Sequence, residues 1–151
     1  MAETRFERES LKDQASRVEH ETRMVLPGVQ ALWGFQLVVV FDSRFTMLST
    51  QQQYLHWVAL SLTAIASILN VAPAAFHRQA EPEEVTERFV RYSNCWLTLS
   101  LVPLMLGFCV DFYLIGIVIS KNEILSLTVT LLLLAVFCFW WFVFPTLKRL
   151  K

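Results

Sequence analysis

The sequence predicts an all-α membrane protein: a bundle of four transmembrane helices preceded by an amphipathic cytoplasmic helix, with both termini in the cytoplasm. Three observations predict it. Hydrophobic residues make up 55% of the 151 residues and charged residues only 17%, against about 25% charged in a soluble domain. Charge-free runs recur along the chain, and a helix needs about 20 apolar residues to cross the hydrocarbon core. The basic residues fall unevenly between the segments that join those runs. None of the runs alternates with the period of two that a transmembrane β-strand requires. Lys+Arg and Asp+Glu are balanced at 13 each, which removes the basic excess a nucleic-acid partner would need.

The first element is the charged segment 1–23. It lacks the apolar stretch of a cleavable signal and carries no lipidation motif. Leu11, Ala15, Val18, Thr22 and Val25 recur at 4-3-4-3 spacing, which predicts an amphipathic helix over 7–24. Such a helix either lies along the membrane surface or pairs with a copy of itself. Residues 24–147 form one transmembrane domain. Its spans cover about 24–42, 54–76, 92–119 and 123–147. Pro27 suits the first turn of span 1, and a continuous, kinked helix is the alternative. Thr46–Gln53, with its run Gln51-Gln52-Gln53, is read as the loop into span 2. Gln79–Arg91 is a charged connection containing Pro82 and is expected to be helical from Glu83. Residues 148–151 are a basic tail.

Orientation follows from the basic residues. The N-terminal segment, the loop between spans 2 and 3 and the C-terminal tail hold eleven Lys/Arg, while the opposite side holds only Arg44 and Lys121. The side rich in Lys/Arg is cytoplasmic, and an even number of spans agrees. Tyr54 and Trp57 then sit at the outer end of span 2, and Tyr92 and Trp96 at the inner end of span 3, as interfacial aromatics do.

Polar residues inside spans turn toward the bundle interior. In span 2, His56, Ala59, Thr63, Ala66, Asn70, Pro73 and His77 form one small or polar stripe, read as a packing seam or a solute-lined path. In span 3, Ser93, Ser100, Gly107 and Asp111 form another. Asp111 is the most informative residue, because an Asp at a helix centre costs about 2.5–3.5 kcal/mol to insert. At its depth lie Asp42, Arg44 and His56. An outer cluster of Asp42, Arg44, His56 and Asp111 is therefore one candidate ion or proton site, with a structural ion pair as the competing reading. The second candidate is an inner polar corner of Gln30, Asn70, His77 and Arg78. There the alternatives are interfacial capping and an anionic lipid headgroup or small anion held by His77-Arg78.

Conventional enzyme chemistry finds no foothold. His56 and His77 stand at opposite ends of one helix, so a single subunit cannot clamp haem between them. Glu19-His20-Glu21 reads as a charged helical segment rather than a metal site. A nucleophile elbow is missing. Cys95, Cys109 and Cys138 form no paired motif and are read as small packing residues. No cofactor, metal or catalytic residue is expected.

Two segments carry a resemblance. ETRMVLPGVQALWGF (Glu21–Phe35) and VAPAAFHR (Val71–Arg78) look like the hallmark stretches of an uncharacterised bacterial family of small four-span inner-membrane proteins. The family pattern is LPG-x-Q entering span 1 and AP-x-A-x-HR ending span 2, matched here by Leu26, Pro27, Gly28 and Gln30, then Ala72, Pro73, Ala75, His77 and Arg78. Some members bear the label sodium:proton antiporter. Known antiporters are much larger and use broken helices and inverted repeats, which this sequence does not show. The resemblance implies residence in a bacterial inner membrane and favours the inner corner as the site, whereas insertion cost favours Asp111. The leading functional expectation is a homo-oligomeric channel or small transporter for protons, cations or another small solute. Its rivals are a non-catalytic accessory subunit of a larger membrane complex and a lipid-interacting membrane protein.

Overall fold

The computed structural model describes residues 10–80 and 85–149. The expectations for residues 7–9 of the first helix and for Pro82 to Glu84 lie outside these residues. Every regular element among the described residues is helical. Helix α1 runs Leu11–Val39, α2 Thr50–Ala80, α3 Glu87–Ser120 and α4 Glu123–Cys138. A π-helical turn at Phe139–Val143 continues α4 into the short α5, Phe144–Arg149. Three rods, namely α2, α3 and the α4–α5 rod, are long and apolar enough to cross a membrane, which marks the chain as a membrane protein.

Local chemistry explains where each helix starts. The Ser10 hydroxyl accepts from Asp13 N at the head of α1. Pro27 lies inside α1, so the amphipathic segment and the apolar segment after it form one continuous helix. The missing N–H of Pro27 removes one ladder bond near the middle of that rod. The amphipathic start of α1 neither stands apart nor faces only solvent. It packs back onto the bundle, burying Val18 beside Pro73 and His77 of α2 and Phe89 of α3, which line a shared cavity with it.

The run expected as a loop before span 2 is mostly helical. Ser43–Met47 form a 3₁₀ turn, and α2 already begins at Thr50. The reason is a reciprocal cap: Ser49 N donates to Gln52 Oε1 at 2.9 Å, and Gln52 N donates to Ser49 Oγ at 3.3 Å. This is the Ser-x-x-Gln capping box. Gln53 Nε2 ties the preceding turn down by donating to Leu48 O at 3.1 Å. Helix α3 starts later than the expected Glu83. Val85 and Thr86 are non-helical, and Thr86 Oγ1 caps the helix by accepting from Phe89 N at 3.1 Å.

Helices α2 and α3 form the most extensive pair, with α1 packed against both and α4 against α3. The buried face of α2 is His56, Ala59, Thr63, Ala66, Asn70 and Pro73, the small and polar stripe read from its spacing. Val29, Ala66 and Leu104 form the apolar centre, joined by Leu32 and Trp141. The π turn delivers Trp141 to that centre, because its extra residue per turn rotates the chain beyond it.

Small residues set the helix separations. A Cβ on Gly116 would collide with the Ser126 side chain of α4, whose hydroxyl donates to Tyr113 O at 2.6 Å. Gly116→Val should force α3 and α4 apart and cost about 1–3 kcal/mol. A lowered unfolding temperature in detergent checks this, and a variant as stable as wild type would contradict the close approach.

Candidate functional site

The polar centre of the molecule joins α1, α2 and α3 near the ends of α1 and α3 and the start of α2. Gln36 comes from the last turns of α1, His56 from the second turn of α2 and Asp111 from the last third of α3. Gln36 Nε2 donates to Asp111 Oδ2 at 2.6 Å. His56 Nδ1 stands 3.5 Å from Asp111 Oδ1. His56 Nε2 lies 2.9 Å from the backbone carbonyl of Gln36. Gln36 is 3% exposed and His56 6%, and the Asp111 side chain is 14% exposed.

This geometry constrains where hydrogens can sit. A carbonyl oxygen only accepts, so the His56 nitrogen facing Gln36 O carries a hydrogen. The other ring nitrogen faces a carboxyl oxygen. With that nitrogen bare and the carboxyl ionised, two acceptors would confront each other in a buried site. A proton on either group relieves that contact, so the pair is placed to share one. Gln36 secures the second carboxyl oxygen. Its own Oε1 is buried with no hydrogen-bond partner among the described residues.

His56 has a second neighbourhood. With Val40, Phe45, Gln53, Tyr54 and Trp57 it lines a cavity of about 470 Å³, and the Phe45 ring stands edge-on to it at 5.4 Å. The imidazole thus touches both a cavity and the carboxyl. Below the cluster, Gly107 lets α2 and α3 touch. A Cβ there would lie 3.0 Å from Thr63 Oγ1 and 3.3 Å from Ala59 O. The close approach brings Asp111, one turn further on, against α2.

Of the outer quartet expected from the sequence, the fold unites His56 and Asp111. Asp42 and Arg44 stay out. The Asp42 carboxylate accepts from Arg44 N at 2.8 Å, capping the 3₁₀ turn, and both residues are exposed. Water and a local cap satisfy them more cheaply than transfer into a buried site. Gln36 takes the place given to them. Val18, Val29 and Gln36, spaced 11 and 7 residues apart, are the buried positions of α1, but an uncharged amide among apolar residues does not stand out in the sequence as an aspartate does.

The inner corner does not close into one site. Gln30 is exposed. Asn70 is buried, and its Nδ2 donates to Ala66 O of its own helix at 2.9 Å. His77 packs against the Phe89 ring at 5.1 Å and Arg78 is exposed. His77 and Arg78 share a cavity, but with residues of α1 and the start of α3 rather than with Gln30 or Asn70. No group of three or more His, Cys, Asp or Glu fit to hold a metal occurs among the described residues.

The sequence profile of a family of unknown function (DUF6328) matches residues 3–145. No curated protein and no solved structure matches the chain.

Proposed function

The chain belongs to that family of unknown function, whose profile covers nearly all of it, and from that premise we propose a function on the geometry of its own residues. The protein is a channel or small transporter that moves protons, or cations in exchange for protons, through a bacterial inner membrane. All four rods cross the bilayer, and both termini face the cytoplasm. The eleven-to-two division of Lys/Arg supports this orientation.

The observation that carries the reading is the Gln36–His56–Asp111 cluster. Ionisable side chains inside a membrane are expensive and mark ion or proton pathways. This cluster places two titratable groups where they can share a proton, and one of the two borders a cavity. In the orientation given, the cavity lies near the outer ends of α1 and α2. His56 takes up or releases a proton there, and Asp111 is its partner across the helix interface. Gln36 Oε1 offers a free acceptor to a protonated or cationic guest. One subunit has little room for a pore, so several copies assemble. Only 6% of the apolar window of the α4–α5 rod is buried within the chain, which leaves a face for a neighbour.

The same bare face also suits an accessory subunit of a larger membrane complex. Purification separates the two: copies of this chain alone in a symmetric oligomer favour the channel, and an unrelated co-purifying chain favours the accessory role. Reconstituted wild-type protein should dissipate a proton gradient in proteoliposomes. Dissipation no faster than in protein-free vesicles, under proton, sodium and potassium gradients alike, would refute the proposal.

A further inference from the structure

At the other end of α2 lies a cavity of about 630 Å³. His56 and His77 are 21 residues apart on α2, about 30 Å along a helix, which is one hydrocarbon thickness. The cavity is therefore separate from the Gln36–His56–Asp111 site. Its walls come from the start of α1, the end of α2 and the residues that open α3. Four of the side chains lining it are basic or titratable to a cation: Lys12, Arg23, His77 and Arg78. Among the described lining residues Glu19 is the acidic one, and it is engaged by Arg23 in an ion pair one helical turn away. Lys12 and Arg78 are left as the cationic pair. The Nδ1 of His77 is buried with no hydrogen-bond partner among the described residues. Thr22, also in the wall, spends its hydroxyl hydrogen on Val18 O. Around the cavity the non-polar floor is Ala15, Val18, Pro73 and Phe89.

We propose that this cavity binds a phosphate group, with Lys12 and Arg78 supplying the charge and His77 Nδ1 a hydrogen bond. Three features select the chemistry. Among the described residues the wall carries excess positive charge, Lys12 and Arg78 line it from different helices, and one buried ring nitrogen lacks a partner. Arg matches phosphate oxygens in two-pronged fashion, and Lys adds a mobile point charge. The ligand ties the amphipathic start of α1 to the ends of α2 and α3, adding to the apolar contacts of Val18, Pro73 and Phe89. Two sources present this group: the headgroup of an anionic phospholipid and free inorganic phosphate. The apolar floor beside the charges suits either.

The test uses the full-length protein purified in neutral detergent, beside the double variant Lys12→Gln/Arg78→Gln. Both residues are exposed, so the fold survives the change. One arm adds phosphatidylglycerol or phosphatidylcholine and counts retained lipid by native mass spectrometry. The other titrates inorganic phosphate and reads heat. At about 1 kcal/mol for each basic residue, the double variant should bind roughly thirty-fold more weakly. Retention of phosphatidylglycerol over phosphatidylcholine, lost in the double variant, supports a lipid headgroup. Phosphate binding lost in the same variant supports the free ion. Binding that is equal in wild type and variant, or absent from both arms, overturns the site. A third protein, His77→Gln, keeps a donor and should retain most of the binding, whereas His77→Phe should lose part of it.

Discussion

His56→Leu should destabilise the purified protein by about 1–3 kcal/mol, the cost of leaving a buried hydrogen-bonding group without its partner. The substitution leaves Asp111 half-buried, with Gln36 as its remaining side-chain partner among the described residues. The carboxyl must then either hold its proton alone or carry an uncompensated charge. The carbonyl of Gln36 loses its imidazole donor at the same time. The double variant His56→Leu/Asp111→Leu should recover part of that loss, because no ionisable group is then left without its partner, although the buried Gln36 amide loses its carboxyl acceptor. Both proteins should lose transport entirely. Thermal or denaturant unfolding of the single and double variants in detergent checks this. A double variant less stable than His56→Leu would mean that the two side chains do not depend on each other.

Gly107→Leu is the second large effect. The added side chain meets Thr63 Oγ1, the Ala59 carbonyl and Leu62 Cβ. Two of these belong to the packed face of α2, and a backbone carbonyl has no rotamer by which to move aside. The helices must separate, at a cost of about 1–3 kcal/mol or more. Asp111 lies one turn beyond Gly107, so separation at 107 also lengthens a contact to His56 that already stands at 3.5 Å. Transport should fall with stability. Gly34→Ala is the matched control: nothing lies within 4 Å of a Cβ there, and stability should hold or rise slightly, since Ala favours the helix. Equal effects at positions 34 and 107 would contradict the close approach of α2 and α3.

Much of the helix packing was legible in the residues themselves. The face of α2 from His56 to Pro73 declared itself because small and polar residues recurred at 3-4 spacing among large apolar ones, and in a helix that spacing is one side. Asp111 declared itself through its insertion cost, and His56 through its depth. Two parts stayed illegible. Asp42 and Arg44 looked like partners because they carry charge at the right level, but a charged residue at a chain turn can be capped and hydrated where it stands. Gln36 looked unremarkable because amides cost less to bury than charges. Gln30, the glutamine that drew attention, lies six residues from Gln36, about 120° away around the helix, and faces outward.

The start of α2 and the continuity of α1 depended on local detail. Three glutamines in a row suggest a loop, yet Ser49 and Gln52 cap each other and turn the run into the first turn of a helix. Pro27 suggested a helix start, but it is accommodated inside α1, where packing of Val18 and Val29 on the same helix holds the rod together across it.

The most direct test of the proton site is the flux of protons into proteoliposomes carrying wild-type protein or Asp111→Asn. Asparagine keeps the shape of the carboxylate and can still hydrogen-bond Gln36 and His56, so the fold persists and only the exchangeable proton is lost. The prediction is flux above protein-free vesicles for wild type and flux at the vesicle baseline for a folded Asp111→Asn. Undiminished flux in the folded variant would place the pathway elsewhere and contradict the assignment of Gln36, His56 and Asp111.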